Sequence, residues 1–290
     1  MKLRLGSEDL DLEKRTHIMG ILNVTPDSFS DGGLFFDSEK AYERSLQMQE
    51  DGADIIDIGG QSTRPGSLPV SPEEELKRVL PVIERLKGSG FKLPISIDTY
   101  SDKVAEACLE LGVEMVNDIS GLRFSGRMKD VIARYSAACL IMHIKGTPKD
   151  MQDNPSYTDL FSEIIDYLKN GINKAEETGI SEIVIDPGIG FGKGLEHNLQ
   201  IINHLDRFCV LNRPILVGLS RKSFIGKVLN LPCEERLEGT AGAVAVAILR
   251  GANIVRVHDV KEIKRVVNIV DAIKGTDTFL SQESEAKSRF

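Results

Sequence analysis

Eight short runs rich in Ile and Val recur along the chain about 20 to 45 residues apart, each followed by a stretch whose apolar residues repeat at helical spacing. The runs are HIMGILNV, DIIDIGG, LPISID, MVNDIS, CLIMH, IVIDPG, PILVGL and IVRVH. They are nearly continuously apolar rather than alternating, as strands covered on both faces must be, so the pattern indicates parallel βα units. Eight such units in one chain favour a closed barrel over an open doubly wound sheet. The length of 290 residues agrees, since one such barrel occupies about 250 residues. The expected fold is therefore α/β, a single (β/α)8 TIM barrel over residues 1–274, followed over 275–290 by a polar tail with no periodic apolar pattern and no assigned function.

Helix boundaries can be read between the strands. Ser38, Ser71 with Pro72, Ser101 and Asp159 stand where N-caps are wanted, and Gly52, Gly88, Gly112 and Gly179 where helices should stop. The formal net charge of -8 argues against a general nucleic-acid surface, which needs clustered Lys and Arg, but it leaves room for a basic pocket. Cys108, Cys139, Cys209 and Cys233 are widely separated, so neither a zinc knuckle nor a disulfide framework is suggested, and reduced thiols are expected. The N-terminal MKLRLGSEDLDLEK has no secretory apolar stretch, and AGAVAVAIL is far shorter than the ~20 residues that span a bilayer. A cytoplasmic protein with no membrane association is expected.

In barrels the working face lies at the carboxyl ends of the strands. Polar residues gather there in nearly every run: Asn23, Asp57, Asp98, Asn117 with Asp118, His143, Asp186, Ser220 to Lys222, and Arg256 with His258. Any one of them has an ordinary alternative as a helix cap or turn former. Together, at equivalent ends of eight units, they favour one polar small-molecule cavity.

The loops add anion chemistry. MGILNVTPDSFSDGG is long for a βα loop and turn-rich through Pro26 and Gly32-Gly33, and it carries Phe29 between two acidic positions, which suits a lid. GGQSTRPG offers glycines, the hydroxyls of Ser62 and Thr63, and the Arg64 guanidinium. SRKSFIG sets Arg221, Lys222 and Ser223 at a helix start, next to Arg256 and His258, at the edge where barrels frequently hold phosphate. Asp98, Asn117 and Asp186 stand opposite as acceptors suited to a 2-amino-4-oxo pyrimidine edge. No HxxxH or HExxH spacing occurs, so a tightly held transition metal is not expected, whereas a Mg²⁺ shared between substrate phosphates and Asn23 or Asp31 would leave no stronger mark than this. IDPGIGFGKG lacks the spacing of a dinucleotide fingerprint.

Taken in order, GILNVTPDSFSDGG, ADIIDIGGQSTRPG, VNDISG, IDPGIGFGK, SRKSFIG and RVHDV resemble the dihydropteroate synthase family, over about Ile18 to Ile273. The resemblance implies condensation of 6-hydroxymethyl-7,8-dihydropterin pyrophosphate with p-aminobenzoate, through loss of pyrophosphate and then attack by the aniline nitrogen. It implies Asp98, Asn117, Met142, Asp186 and Lys222 as pterin-binding residues, and Asn23, Thr63, Arg64, Arg256 and His258 as pyrophosphate-binding residues, with Mg²⁺ as cofactor at Asn23. It implies Phe29, Asp31, Thr63, Pro65, Lys222 and Ser223 around p-aminobenzoate, with Asp98, Lys222, Arg256 and His258 as the catalytic groups. Sulfonamides are implied as competing ligands and a homodimer as the assembly. No serine or cysteine nucleophile with a base is evident, and the role of Gln61 is left open.

A pterin-binding methyltransferase on the same barrel is the chief alternative. It would share the pterin carboxylates and the asparagine but needs no pyrophosphate cations, so Lys222, Arg256 and the SFSDGG segment favour the synthase. A non-catalytic pterin-binding homologue could dispense with Asn23, Arg64 and His258, all of which are present.

Overall fold

The computed structural model describes residues 1–25, 33–62 and 66–287, the side chains of 33–37 and 276–287 excepted. All eight expected runs are strands: β3 (His17–Asn23), β4 (Ile55–Gly59), β5 (Ile95–Asp98), β6 (Met115–Asp118), β7 (Ala138–Met142), β8 (Ile183–Asp186), β9 (Leu216–Gly218) and β10 (Ile254–Val257). They form one parallel sheet in the order β8-β7-β6-β5-β4-β3-β10-β9. A parallel bridge between Ile185 and Ile215 joins its two ends and closes the barrel.

The connecting helices are α1 (Gly33–Glu50), α2 (Pro72–Gly88), α3 (Asp102–Glu110), α4 (Met128–Arg134), α5 (Leu160–Glu177), α6 (Leu195–Asn203), α7 (Ser223–Leu229), α8 (Leu237–Leu249) and α9 (Val260–Lys287). Ser71 and Asp159 cap as expected: the Ser71 hydroxyl accepts from Glu74 N at 3.2 Å, and one Asp159 oxygen accepts from Phe161 N and Ser162 N at 3.1 and 3.0 Å. Two boundaries differ. Helix α1 begins at Gly33, five residues ahead of the cap expected at Ser38. Helix α2 has its C-cap at Ser89, and the left-handed residue after it is Gly90, not Gly88.

An element absent from the sequence reading precedes the barrel. Strands β1 (Lys2–Leu5) and β2 (Glu8–Asp11) form an antiparallel hairpin, with Gly6 at positive φ in its two-residue turn. Leu3, Leu5 and Leu12 from this segment pack against Met19, Ile55, Met115, Leu140, Val184, Leu216 and Ile254. Those strand residues all face the lumen, so the hairpin plugs the amino end of the barrel. The opposite parity, including Ile18, Ile56, Ile58, Ile97 and Val116, packs outward against the helices in a second, larger core. Among the described residues no helix is long and apolar enough to cross a membrane.

Candidate active site

Strand side chains alternate in and out, so the lumen residues fix which residues follow them toward the carboxyl end. Above Ile55 comes Asp57; above Ser96, Asp98; above Met115, Asn117; above Leu140, Met142; above Val184, Asp186; above Ile254, Arg256. Asn23 shares the parity of Met19. Strand register sets Asn23, Gly59, Asp98 and Asn117 side by side, and Met142 beside Asp186. The apolar foot and the polar mouth are thus successive layers of one stack.

The centre of the mouth is a set of charge-assisted hydrogen bonds. Arg256 donates from Nε to Asp57 Oδ2 at 2.6 Å and from Nη2 to Asp98 Oδ2 at 2.7 Å. Asn117 Nδ2 donates to the same Asp57 oxygen at 2.9 Å. Two carboxylates share one guanidinium, and burial pushes the Asp98 carboxyl well above the usual carboxylate range, with Arg256 opposing and the charges of Asp57, Glu75 and Asp118 adding to the rise. Oδ1 of Asp57 and Oδ1 of Asp98 are buried and have no partner among the described residues. Unpaired buried acceptors of this kind are positions for a ligand's donors.

Opposite lies the glycine-rich turn after β8. Asp186 Oδ1 accepts from Gly188 N at 2.7 Å, and burial raises its carboxyl, with Lys222 opposing. Gly188 has φ +71, and a Cβ there would lie 1.8 Å from the His143 carbonyl oxygen. Only glycine fits that position. Lys222 Nζ donates to the Ile189 carbonyl and stands 4.7 Å from the Phe191 ring centroid. Burial pulls the Lys222 ammonium down to about 8, against the pull of Asp186 and aided by the charge of Arg256. The turn is backed by Lys193, whose Nζ meets His143 Nδ1 at 2.8 Å and donates to the Phe191 carbonyl at 3.0 Å.

Ser220 and His258 meet on the other side of Arg256, Ser220 Oγ lying 3.0 Å from His258 Nδ1. Ser223, the first residue of α7, is exposed. Arg221, which the sequence groups with the anion binders, is used internally: Nε and Nη2 donate to Asp259 at 2.9 and 2.6 Å. Asp118 and His143 also serve structure. Asp118 accepts from Ser120 N and Leu122 N, shaping the turn after β6, and His143 pairs with Lys193. Gln61 donates to the Tyr100 hydroxyl at 2.6 Å. Phe29, Asp31, Thr63, Arg64 and Pro65 lie outside the described residues.

Residues 19–258 match the family of pterin binding enzymes. The chain belongs to that family. It is 47% identical over 274 residues to a dihydropteroate synthase of Clostridium beijerinckii, an alignment that spans 93% of this chain and 99% of that one. The dihydropteroate synthase of Yersinia pestis, solved in a sulfonamide drug complex, superposes with a TM-score of 0.89 at 41% identity over 95% of this chain and 100% of that one. That of Xanthomonas albilineans, solved with 4-aminobenzoic acid, superposes with a TM-score of 0.87 at 42% identity over 94% of this chain and 98% of that one.

In this pterin-binding enzyme the residues assigned from sequence fall into three described groups: Asp98, Asn117 and Arg256 at the centre; Met142, Asp186 and Lys222 at the glycine-rich turn; His258 beside Ser220. Asn23 joins the first by strand register. Asp57 is the residue left without a role by sequence reasoning, although it holds the first group together. Its signal was a lone carboxylate inside the apolar run IIDIGG, at lumen parity, where a charge requires a partner.

Proposed function

We propose that the chain condenses 6-hydroxymethyl-7,8-dihydropterin pyrophosphate with p-aminobenzoate, giving 7,8-dihydropteroate and pyrophosphate. The observation that carries this reading is the convergence at one barrel mouth of the buried acceptors Asp98, Asn117 and Asp186 with the cations Lys222 and Arg256. A pterin presents several N–H donors on one edge, which carboxylates accept in pairs, and a ring oxygen and nitrogen, to which Lys222 donates. Met142 provides an apolar wall beside Asp186.

In the proposed assignment Arg256 and His258, with Asn23, Thr63 and Arg64, receive the pyrophosphate. Phe29, Asp31, Thr63, Pro65, Lys222 and Ser223 surround p-aminobenzoate. The bond between the methylene carbon and the pyrophosphate oxygen breaks first, its electron pair leaving with pyrophosphate. Arg256 and His258 stabilise the departing charge while Asp98 faces the positive charge left on the pterin. The aniline nitrogen then bonds to the methylene carbon and loses its proton. No covalent intermediate with the protein is involved.

Among the described residues no three His, Cys, Asp or Glu side chains gather into a metal site. The oxygens present fit Mg²⁺ in another way: Asn23 Oδ1 and Asp98 Oδ2 lie 3.8 and 3.7 Å from where a Cβ on Gly59 would sit, so the missing Cβ leaves space beside both. A Mg²⁺ that takes most of its ligands from phosphates and water needs no more than one or two such donors. Asn23 would hold it, and when bound the ion would neutralise charge on the leaving group.

Sulfonamides are expected to compete with p-aminobenzoate. A homodimer is proposed from family likeness, supported by the exposed Val228, Leu229, Val246 and Leu249 on α7 and α8. A cytoplasmic location belongs to the same proposal, as does the division of the chain into a barrel over 1–274 and a tail over 275–290, whose residues 275–287 continue α9. The test is an assay of pyrophosphate release with Mg²⁺, with and without p-aminobenzoate. Release that requires both substrates and yields dihydropteroate supports the synthase; tight pterin binding without release rejects it in favour of the methyltransferase or a binding protein.

A further inference from the structure

Asp57 is fully buried in β4, midway between the two strands whose side chains it holds. Counting around the sheet, β6 lies two strands to one side and β10 two strands to the other. We infer that Asp57 is the positioning residue of the site: its carboxylate sets the Arg256 guanidinium and the Asn117 amide for the pterin pyrophosphate, an assignment that rests on the synthase reading above.

The geometry is specific. A single oxygen, Oδ2, accepts from Arg256 Nε at 2.6 Å and from Asn117 Nδ2 at 2.9 Å. Because Nη2 of the same guanidinium is bonded to Asp98 at 2.7 Å, two of its three nitrogens are fixed and its plane is set. Nη1 is then the nitrogen offered to the leaving group. Without Asp57 the guanidinium would keep one anchor and could rotate about it, and a planar fork that can rotate loses the orientation that makes Arg selective for phosphate. Asn117 would lose the acceptor that decides which way its amide points. Its carbonyl oxygen, rather than its NH₂, is turned toward a donor only while the NH₂ is bound to Asp57. Asp57 thus acts through two residues that touch substrate.

The experiment uses the full-length chain as wild type, Asp57→Asn, Asp57→Ala, Arg256→Lys and the Asp57→Asn/Arg256→Lys double variant. Pyrophosphate release is followed with each substrate varied. For Asp57→Asn, kcat/KM for the pterin pyrophosphate is expected to fall about a hundredfold, the scale for disrupting a buried charge pair, while KM for p-aminobenzoate changes less than about threefold. In the Arg256→Lys background the same substitution should cost far less than a hundredfold, as coupled residues require. Should Asp57→Ala not fold, the isosteric Asp57→Asn carries the test. A folded Asp57→Asn with wild-type kcat/KM, or an undiminished loss in the Arg256→Lys background, overturns the inference. A wild-type chain that releases no pyrophosphate defeats the synthase reading itself, and the role of Asp57 falls with it.

Discussion

Replacing Gly188 with alanine should damage both the fold and the proposed pterin site, and the structure supplies the magnitude. The added Cβ would meet the His143 carbonyl oxygen at 1.8 Å, so the turn after β8 must retreat from β7 by roughly 1.6 Å to reach ordinary contact. That carbonyl ends a strand paired with β8, and backbone held by the barrel ladder cannot swing aside as a flexible side chain can. To the overlap, at about 1–3 kcal/mol for overpacking, is added about 1–2 kcal/mol for an L-residue at φ +71. The sum, about 2–5 kcal/mol, is a large part of the ~5–15 kcal/mol that stabilises a typical fold. Relief by displacement would carry off Gly188 N, which fixes Asp186, and Ile189 O, which holds Lys222. Urea unfolding followed by circular dichroism, with pterin binding by calorimetry, checks both effects. Gly242→Ala is the control: it sits exposed in α8 with nothing within 4 Å of its Cβ position, and should leave stability unchanged or raise it by about 1 kcal/mol. A Gly188→Ala protein as stable as wild type, with the same pterin affinity, would refute the reasoning.

Three further outcomes are expected. Asp186→Ala removes the acceptor proposed for the pterin edge and should weaken pterin binding by about 1–3 kcal/mol or more, leaving p-aminobenzoate contacts in place; wild-type affinity in calorimetry would contradict the assignment. The Lys222 ammonium, held down to about 8, loses its proton as pH rises through that value, so kcat/KM for the pterin pyrophosphate should fall on the alkaline side near pH 8. Lys222→Arg keeps its charge to much higher pH and should lose that limb, whatever its absolute rate; a wild-type profile flat to pH 10 would rule the role out. Leu5→Ala opens the apolar plug at the foot of the barrel and should cost about 2–5 kcal/mol in urea unfolding with little change in KM, since the mouth lies at the other end.

The barrel was legible because parallel strands buried on both faces must be continuously apolar, and eight such runs are hard to mistake. Strand parity could have sorted the polar strand ends as well. Asp57, Asn117, Asp186 and Arg256 share the parity of apolar lumen residues, and Asp98 that of the buried Ser96; Asp118 and His143 do not share lumen parity, and those two shape turns instead. Reading only which polar residue ended each run blurred this distinction. The hairpin was missed for a different reason. Leu3, Leu5, Leu10 and Leu12 alternate with charged residues in strands of four, a signal too short to stand out beside eight longer runs. Arg221 was misread because a guanidinium near a helix start looks alike whether it meets an anion or, as here, Asp259. No local pattern distinguishes a ligand's charge from one supplied 38 residues later.

The plug and the mouth also bear on one another energetically. With leucines sealing the foot, water reaches the lumen carboxylates from one side only, and Asp57, Asp98 and Asp186 are all nearly or wholly buried. In that setting a cation developing on a pterin interacts with fixed acceptors far more strongly than it would in water. The same confinement would penalise the empty site if each carboxylate stood alone. Arg256 meets this by bonding two of them, and Gly188 and Lys222 attend the third. Such an arrangement keeps the acceptors ordered before substrate arrives, so little reorganisation is left for the step in which charge separates.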